Sequence, residues 1–352
     1  MRIGKHKATK LTRTIFVRAA ASALFYSGAI NALRSSRIKR WSNDQKARNV
    51  SFPFIVLLYH RVNPHNDPYF PAISVRAFDS QIRYLTANYH VTPLVKIVDK
   101  ISQGEEIAPG TIAITFDDGY RDNYVYAHPI LRKYNCPATL FAATSYIGTE
   151  RLMWNDKLAL AMKLSTRKSV SIPGSTQSLS LVAVPERIFA LNQILEHLKA
   201  FSEAKKIMVL EAIFNSLARE QPKPEPVMLS WNELRQMAHE GWEIGSHTAN
   251  HVILTRVPLC QAKEEIRSSG AILERELGLP IRLFAYPNGK PADYDIFIKE
   301  CLRKSGYIGG VTTVDGANAY KVDPFEIGRK SAWEESVSAF ALRLSRSFWR
   351  RT

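Results

Sequence analysis

The sequence predicts a (β/α) barrel carrying an inserted helical segment. Three observations lead there. Apolar, strand-like runs alternate with amphipathic helical stretches along the body of the chain, a pattern that belongs to parallel sheets. The polar motifs richest in chemistry each follow one of these runs, where such barrels gather active-site side chains at the strand ends. The 352 residues exceed one average domain, yet barrels of about 250 residues fold as one unit. A hydrophobic content of 45% supplies a sizeable core.

In chain order, residues 1–50 form a basic amphipathic segment. The stretch from Ala19 to Leu33 is uncharged but only fifteen residues long, bounded by Arg18 and Arg34. A membrane-spanning helix needs about 20 apolar residues. Leu11, Ile15, Phe16, Ala19, Ala23 and Tyr26 fall on one helical stripe with Lys10, Arg13 and Arg18 near its polar side, as in a helix lying on a membrane surface. This segment is expected to lie outside the barrel core. A signal-anchor or a plain soluble helix are the alternatives; the basic run from Arg34 to Arg40 suits a cleaved signal peptide poorly.

The barrel occupies residues 51–335. Strand-like runs lie at Phe54 to Tyr59, Ile112 to Phe116, Thr139 to Ala143, Trp242 to Gly245, Arg282 to Tyr286 and Tyr307 to Thr312. Between them, Phe78, Ile82 and Leu85 share a helical face behind a candidate cap at Ser74. Glu264 to Leu277 reads as a helix stopped by Gly278 and Pro280, and Asp293 to Lys304 as another ending before Gly306. Residues 151–228 break the rhythm. Ser169 to Val184 is Ser-rich with Pro173-Gly174 and suggests a loop or hairpin. Glu186 to Leu217 reads as one or two amphipathic helices. Gln221 to Pro226 is a rigid, proline-rich link back to Ser230 and Glu233, which make a capping box. The insert is either a lid or side wall of the cleft or a surface embellishment. Residues 336–352 form a basic C-terminal helix with Val337, Phe340, Leu344 and Phe348 on one face, able to pack on the barrel or to lie on a membrane.

Two motifs carry the chemistry: Thr115-Phe116-Asp117-Asp118-Gly119-Tyr120 and Ser246-His247-Thr248-Ala249-Asn250-His251. One carboxylate and two imidazoles make a zinc-type ligand set that leaves a coordination position open. The second carboxylate is then free as a base, which completes a minimal kit for metal-assisted hydrolysis. Asp-Asp-Gly alone reads as a turn and His-x-x-x-His alone is weak, but their joint placement after apolar runs is much less readily accidental. A third motif, Phe284-Ala285-Tyr286-Pro287-Asn288-Gly289, also ends such a run.

On these motifs the chain resembles the NodB-homology polysaccharide deacetylases, carbohydrate esterase family four, over roughly residues 53–332. The first family motif, Thr-Phe-Asp-Asp-Gly, matches 115–119, and the second, His-Ser/Thr-x-x-His, matches 247–251. The resemblance implies a deformed barrel, Asp117 as catalytic base, Asp118, His247 and His251 as ligands of a divalent metal, most plainly Zn2+, and an N-acetylated glycan as substrate. Two departures matter. The family's third motif carries an Arg that holds the catalytic Asp, and Ala285 stands there instead; Arg329 is the candidate replacement and Arg282 the second. No histidine follows His251 to serve as the family's general acid. However, Leu58-Tyr59-His60-Arg61 is similar to the N-terminal Tyr-His segment of the biofilm-polysaccharide branch, which makes His60 the candidate acid; the alternative is a strand-end histidine bonded to backbone. Tyr120, Trp154, Tyr286, Pro287 and Asn288 are the candidate substrate contacts, the aromatics offering flat faces to sugar rings, though each aromatic also suits core packing.

Charge distribution narrows the partners. Of the net +16, residues 1–50 with twelve Lys/Arg and one acid, and residues 343–352 with four Arg, carry all but one unit. The near-neutral body suits a neutral glycan, and no basic-aromatic platform for nucleic acid accompanies the ends. The basic ends suit an anionic membrane surface. Cys136, Cys260 and Cys301 show no framework spacing, which favours buried thiols over disulfides. The expected location is bacterial-type, cytoplasmic or peripheral at the inner membrane, with a periplasmic, signal-anchored form as the alternative. The same site acting on a lipid-linked sugar, a peptidoglycan unit or a cyclic amide is the alternative activity. A non-catalytic glycan-binding or assembly protein on a decayed barrel is the other.

Overall fold

The computed structural model describes residues 20–33, 35–36, 53–173, 178–217, 227–319 and 321–347. Its central sheet is wholly parallel. The strands are β1 (Ile55–Tyr59), β2 (His90–Val91), β3 (Thr111–Phe116), β4 (Thr139–Ala142), β7 (Glu243–Ser246), β8 (Leu283–Ala285), β9 (Gly309–Val311) and β10 (Lys330–Ser331). They lie in the order β10-β1-β3-β4-β7-β8-β9, with β2 beside the start of β3. Leu57 of β1 faces Ile114 of β3 on one side and Lys330 of β10 on the other. Ile327 bridges Val311 of β9. Residues 327–331 thus touch β9 at one end and β1 at the other, and draw the two edges of the sheet together into a deformed (β/α) barrel.

Period-two alternation sorts the strand side chains. Val56, Ala113, Phe141, Leu283, Ala285 and Val311 fill the barrel interior with Ile327. Their neighbours Ile55, Leu57, Ile112, Ile114, Leu140 and Phe284 face outward beneath the helices. Among those helices, α3 (Val75–Asn88) starts where Ser74 Oγ accepts from the Ala77 N–H at 3.2 Å, and its Phe78, Ile82 and Leu85 are fully buried. Next come α4 (Leu94–Gln103), α5 (His128–Lys133) and α9 (Trp231–His239), the last with the expected Ser230/Glu233 capping box. α10 (Leu259–Leu277) ends on left-handed Gly278, and α11 (Ile296–Lys304) is capped by Asp295.

The ends pack differently from expectation. Helical residues 20–26 (α1) and 29–33 (α2) bring Ala21 and Ile30 into the main core, both at most 2% exposed. Ser22 Oγ lies 3.1 Å from Ser338 Oγ, and Tyr84 donates to Asn31 Oδ1 at 3.3 Å. The expectation that the whole N-terminal segment stands outside the core therefore does not hold for residues 20–33. The face that turns outward carries Ala23 and Tyr26, two residues of the predicted stripe; Leu11, Ile15, Phe16 and Ala19 lie outside the described residues. α12 (Val337–Ser347) packs against α3 with Phe340 and Leu344 fully buried, so this end is an outer helix of the barrel. No helix among the described residues is long and apolar enough to cross a membrane.

The insert has a core of its own. α6 (Trp154–Leu164), the antiparallel hairpin of β5 (Ser169–Ser171) and β6 (Ser178–Ser180), α7 (Val184–Lys199) and α8 (Glu203–Leu217) enclose Leu158, Met162, Val170, Leu179, Ile194 and Ile213. The Ser-rich stretch is therefore a hairpin: Val170 and Leu179 point inward and the flanking serines outward. The helical stretch is two helices, and the Gln221 to Pro226 link lies outside the described residues. Tyr69 of the barrel is buried in this core with Phe70 packed beside it, which joins the insert to the barrel next to the strand ends.

Candidate functional site

Three strand ends converge. β3 delivers Asp117 and Asp118, β7 delivers His247, and β1 delivers His60. Asp118 sits in the left-handed region at φ 78°, followed by Gly119 at φ 90°. A Cβ on Gly119 would stand 2.7 Å from Ile147 Cδ1, so this turn requires glycine. Thr248 and His251 also have positive φ, 64° and 54°. Such strained residues persist where the surroundings over-determine them. Here Glu265 of α10, 6% exposed, does so: its carboxylate accepts from the N–H groups of Ala249 and Asn250 at 3.0 and 2.8 Å and from Asn250 Nδ2 at 2.8 Å.

Asp118, His247 and His251 form one cluster, their ligand atoms all within 4.8 Å of one another. Asp118 Oδ1 is 3.5 Å from His247 Nε2 and 3.3 Å from His251 Nε2. That oxygen is buried and has no hydrogen-bond partner. A buried, orphaned carboxylate oxygen facing two imidazole nitrogens fits a divalent cation, because the set is charged and short of a positive partner. The His247 tautomer is fixed to match: Nδ1 lies 2.7 Å from the Ala285 carbonyl oxygen, which only accepts, so Nδ1 carries the proton and Nε2 presents its lone pair. Without a cation, burial lowers the His247 pKa but Asp117 and Asp118 raise it further, for a net upward shift. Burial drives His251 down to about 3, leaving a neutral ring.

Asp117 is held apart from this cluster by Arg329. The guanidinium donates through Nη1 to Oδ1 and through Nη2 to Oδ2, both at 2.6 Å, a bidentate pair. Nε donates to the Thr312 carbonyl at 2.9 Å and Nη1 to Thr115 Oγ1 at 3.2 Å. Arg329 is 1% exposed and Asp117 2%. Burial alone would raise the Asp117 pKa, but Arg329 and then His247 outweigh it and the carboxyl stays below its usual range. Arg329 thus occupies the role left open by Ala285. The second candidate, Arg282, is a correction: it pairs with Asp99 at 2.6 Å on the partly exposed outside of the barrel.

A cavity of about 400 Å³ opens on Asp118. His60 lines it, with Nδ1 buried and unpartnered, so the backbone-bonded alternative has no bond there to support it. The ring stacks on Trp333 at 6.0 Å. Tyr120 lines it too, 3% exposed, its hydroxyl donating to Asp156 Oδ2 at 2.9 Å. The other expected substrate contacts sit elsewhere. Trp154 packs against the insert core beneath Lys206, while Asn155 and Asp156 beside it face the cavity. Tyr286 is 1% exposed, stacks on Tyr294 and donates to the Phe325 carbonyl at 3.0 Å: it is a core residue. Pro287 and Asn288 form the turn after β8, Asn288 donating to Asp293 at 2.6 Å, and neither lines this cavity. Asp156 lines it, as its place at the start of the insert suggested, and among the residues that do so unannounced are Arg61, Phe70, Asn155 and Trp333. Trp333 and Arg61 lie two and one positions from Ser331 and His60, and only strand geometry reveals their side. The insert is thus a side wall of the cavity.

The chain belongs to the polysaccharide deacetylase family, whose model matches residues 105–307. The match contains both motifs, whereas His60 and Arg329 fall outside it. Among curated relatives, the Bacillus subtilis protein YxkH is 22% identical over 263 residues, covering 74% of this chain and 65% of the relative. The poly-beta-1,6-N-acetyl-D-glucosamine N-deacetylase of Staphylococcus epidermidis is 29% identical over 144 residues, covering 36% of this chain and 50% of the relative. The chain therefore spans less than two thirds of the length of either. Among solved structures, the Streptococcus pyogenes deacetylase PplD is similar with a TM-score of 0.56 at 18% identity, covering 84% of this chain and 98% of PplD, a likeness of fold.

Proposed function

We propose that this member of the polysaccharide deacetylase family is a metal-dependent hydrolase that removes N-acetyl groups from an N-acetylated sugar or polysaccharide. The observation that carries the proposal is the Asp118–His247–His251 cluster next to the clamped carboxylate of Asp117, with Asp118 and His60, whose Nδ1 is unpartnered, lining one cavity. Asp118, His247 and His251 would hold the ion, and two imidazoles with one carboxylate favour zinc over calcium or magnesium. When bound, the ion polarises the acetamide carbonyl and acidifies a water. Asp117, kept ionised by Arg329, takes the water's proton, each oxygen retaining a lone pair beyond its Arg329 bond. His60 gives a proton to the leaving amine nitrogen.

A polymer of N-acetylglucosamine is the substrate to test first, given the printed name of the Staphylococcus epidermidis relative. The test is acetate release by the zinc-loaded full chain from N-acetylglucosamine oligomers, with Asp117→Asn as the blank. Release equal to the blank from every N-acetylated glycan, including peptidoglycan units and lipid-linked sugars, sinks the proposal. The decayed-barrel reading rested on the missing motif arginine and the relocated histidine; the Arg329–Asp117 pair speaks against the first ground and His60 at the cavity against the second. For the cell location we propose contact with an anionic membrane surface through the basic ends, aided by the exposed Leu24, Tyr26 and Leu33 of the N-terminal helices. Failure of the chain to sediment with anionic vesicles at low salt would reject it.

A further inference from the structure

The side of the cavity opposite the strand ends comes from the insert. The first turn of α6 turns Asn155 and Asp156 into it, facing His60 and Asp118. Asp156 is 6% exposed. Tyr120 is its only side-chain hydrogen-bond donor among the described residues and engages Oδ2, leaving Oδ1 without one. Asn155 Oδ1 is buried with no partner. The hydrolysis described above uses neither residue. A buried acceptor without a donor is costly, and a native chain retains one where a ligand supplies the donor.

The chemistry around them says which donors. Arg61, whose guanidinium lies 4.4 Å over the Tyr120 ring and pairs with Asp122 at 3.0 Å, already brings a positive charge close to Asp156. Burial nonetheless raises the Asp156 carboxyl to about 6, which disfavours its charge, and neutral O–H groups answer such an acceptor. Phe70 and Trp333 also line the cavity and offer flat apolar faces to the C–H sides of a pyranose. Beyond Asp156 the wall continues into Ile188, Leu191 and Asn192 of α7.

We infer that Asn155 and Asp156 are specificity-determining residues that accept hydrogen bonds from ring hydroxyls of the sugar whose N-acetyl group lies at Asp118. The inference rests on the deacetylase reading for the placement of the N-acetyl group. It makes the insert, rather than the metal-bearing strand ends, the part of the chain that distinguishes one N-acetylhexosamine from another. A site built to bond a hydroxyl rejects the analogue that lacks it, because its own acceptors are then left unpaired.

The test compares the zinc-loaded full chain with Asp156→Asn and Asn155→Ala. Asp156→Asn keeps an oxygen for the Tyr120 bond and replaces the free acceptor with a donor. Binding of methyl N-acetyl-glucosaminide, its 3-deoxy and 4-deoxy analogues and the galacto epimer is measured by calorimetry, and acetate release by kcat/KM on the same compounds. Bound zinc and far-ultraviolet circular dichroism monitor folding. The wild type is expected to prefer the parent sugar over one deoxy analogue by about tenfold or more, the size of a bond to a charged group. Each variant is expected to shrink that preference at least several-fold through KM, with zinc content unchanged. An unchanged preference in both folded variants, or a wild type that binds none of the sugars, overturns the inference. Selective binding that the variants abolish, without acetate release, supports it while rejecting the hydrolase reading; acetate release with an unmoved preference does the reverse.

Discussion

Replacing Arg329 with methionine tests the arrangement of the site most directly. The guanidinium makes two 2.6 Å bonds to Asp117 and two more to Thr312 and Thr115, in a place where the side chains of both charged partners are at most 3% exposed. An exposed ion pair contributes about 0–1 kcal/mol, but removing one partner of a buried pair costs about 3–5 kcal/mol because the other charge is left stranded. Domains of ordinary stability hold about 5–15 kcal/mol, so the loss is a large fraction. The cost must also depend on pH. In the wild type the Asp117 pKa lies below its usual 3.8, because Arg329 outweighs burial. The pair's contribution is therefore present above the unfolded value and is lost as pH falls through the folded one. In Arg329→Met burial is opposed only by His247 and His60, so the folded value moves upward and the stabilisation that the ionised carboxylate adds as pH rises is lost. Urea unfolding curves of the two proteins should converge toward acid pH and separate toward neutral pH. In an Asp117→Asn background the cost of Arg329→Met should fall well below its cost in the wild type. An equal, pH-independent cost in both backgrounds would falsify the clamp. Bound zinc should survive Arg329→Met, while acetate release should not.

Four further outcomes follow from the same geometry. His247→Ala or His251→Ala, or treatment with a chelator, should remove most bound metal and nearly all hydrolysis, whereas Asp117→Asn should keep the metal and lose turnover; identical metal titrations for Asp117→Asn and Asp118→Asn would contradict the division of roles. His60→Ala should lower kcat about 100-fold or more and flatten the alkaline limb of the pH–rate profile, and an unchanged profile would rule it out as the proton donor. Glu265→Ala frees the 249–250 backbone from its three hydrogen bonds and should weaken zinc affinity about 10–100-fold, read by competition with a chromogenic chelator; unchanged affinity would show that the loop is held without it. Deleting residues 1–36 should lower the melting temperature by several degrees, since Ala21 and Ile30 leave the core, while deleting residues 1–17 should not; equal melting temperatures for the two would show that α1 and α2 contribute nothing to the barrel.

What was legible in the sequence is what short-range physics writes there. The continuous apolar runs of β1, β3 and β4, the three-to-four spacing of Phe78, Ile82 and Leu85, and the Ser230/Glu233 cap depend on neighbours within a few residues, and each appears where expected. The Asp117-Asp118 and His247-x-x-x-His251 spacings likewise carried the metal cluster, since a strand end presents consecutive residues to one place. Two-residue strands such as β2 and β10 are too short to leave a period, and so went unpredicted. The mouth of the cavity was a matter of direction rather than composition. Trp154 and Tyr286 are aromatic in the right neighbourhood, yet one turns to Lys206 and the other to Phe325. Trp333 and Asp156 face the site because of strand and helix phase.

The sequence by itself thus determined the barrel and a candidate metal-ligand set, because these are set by residue type and local spacing, while the family resemblance rather than the spacing singled out Asp117 as the candidate base. Only the tertiary structure decided which arginine holds that base. Arg329 is 212 residues from Asp117, and Arg282 stood as the second candidate until the closing of the sheet by residues 327–331 turned the one inward and left the other outside with Asp99. A pairing across such a distance depends on where the whole chain comes to rest, and no local pattern records it.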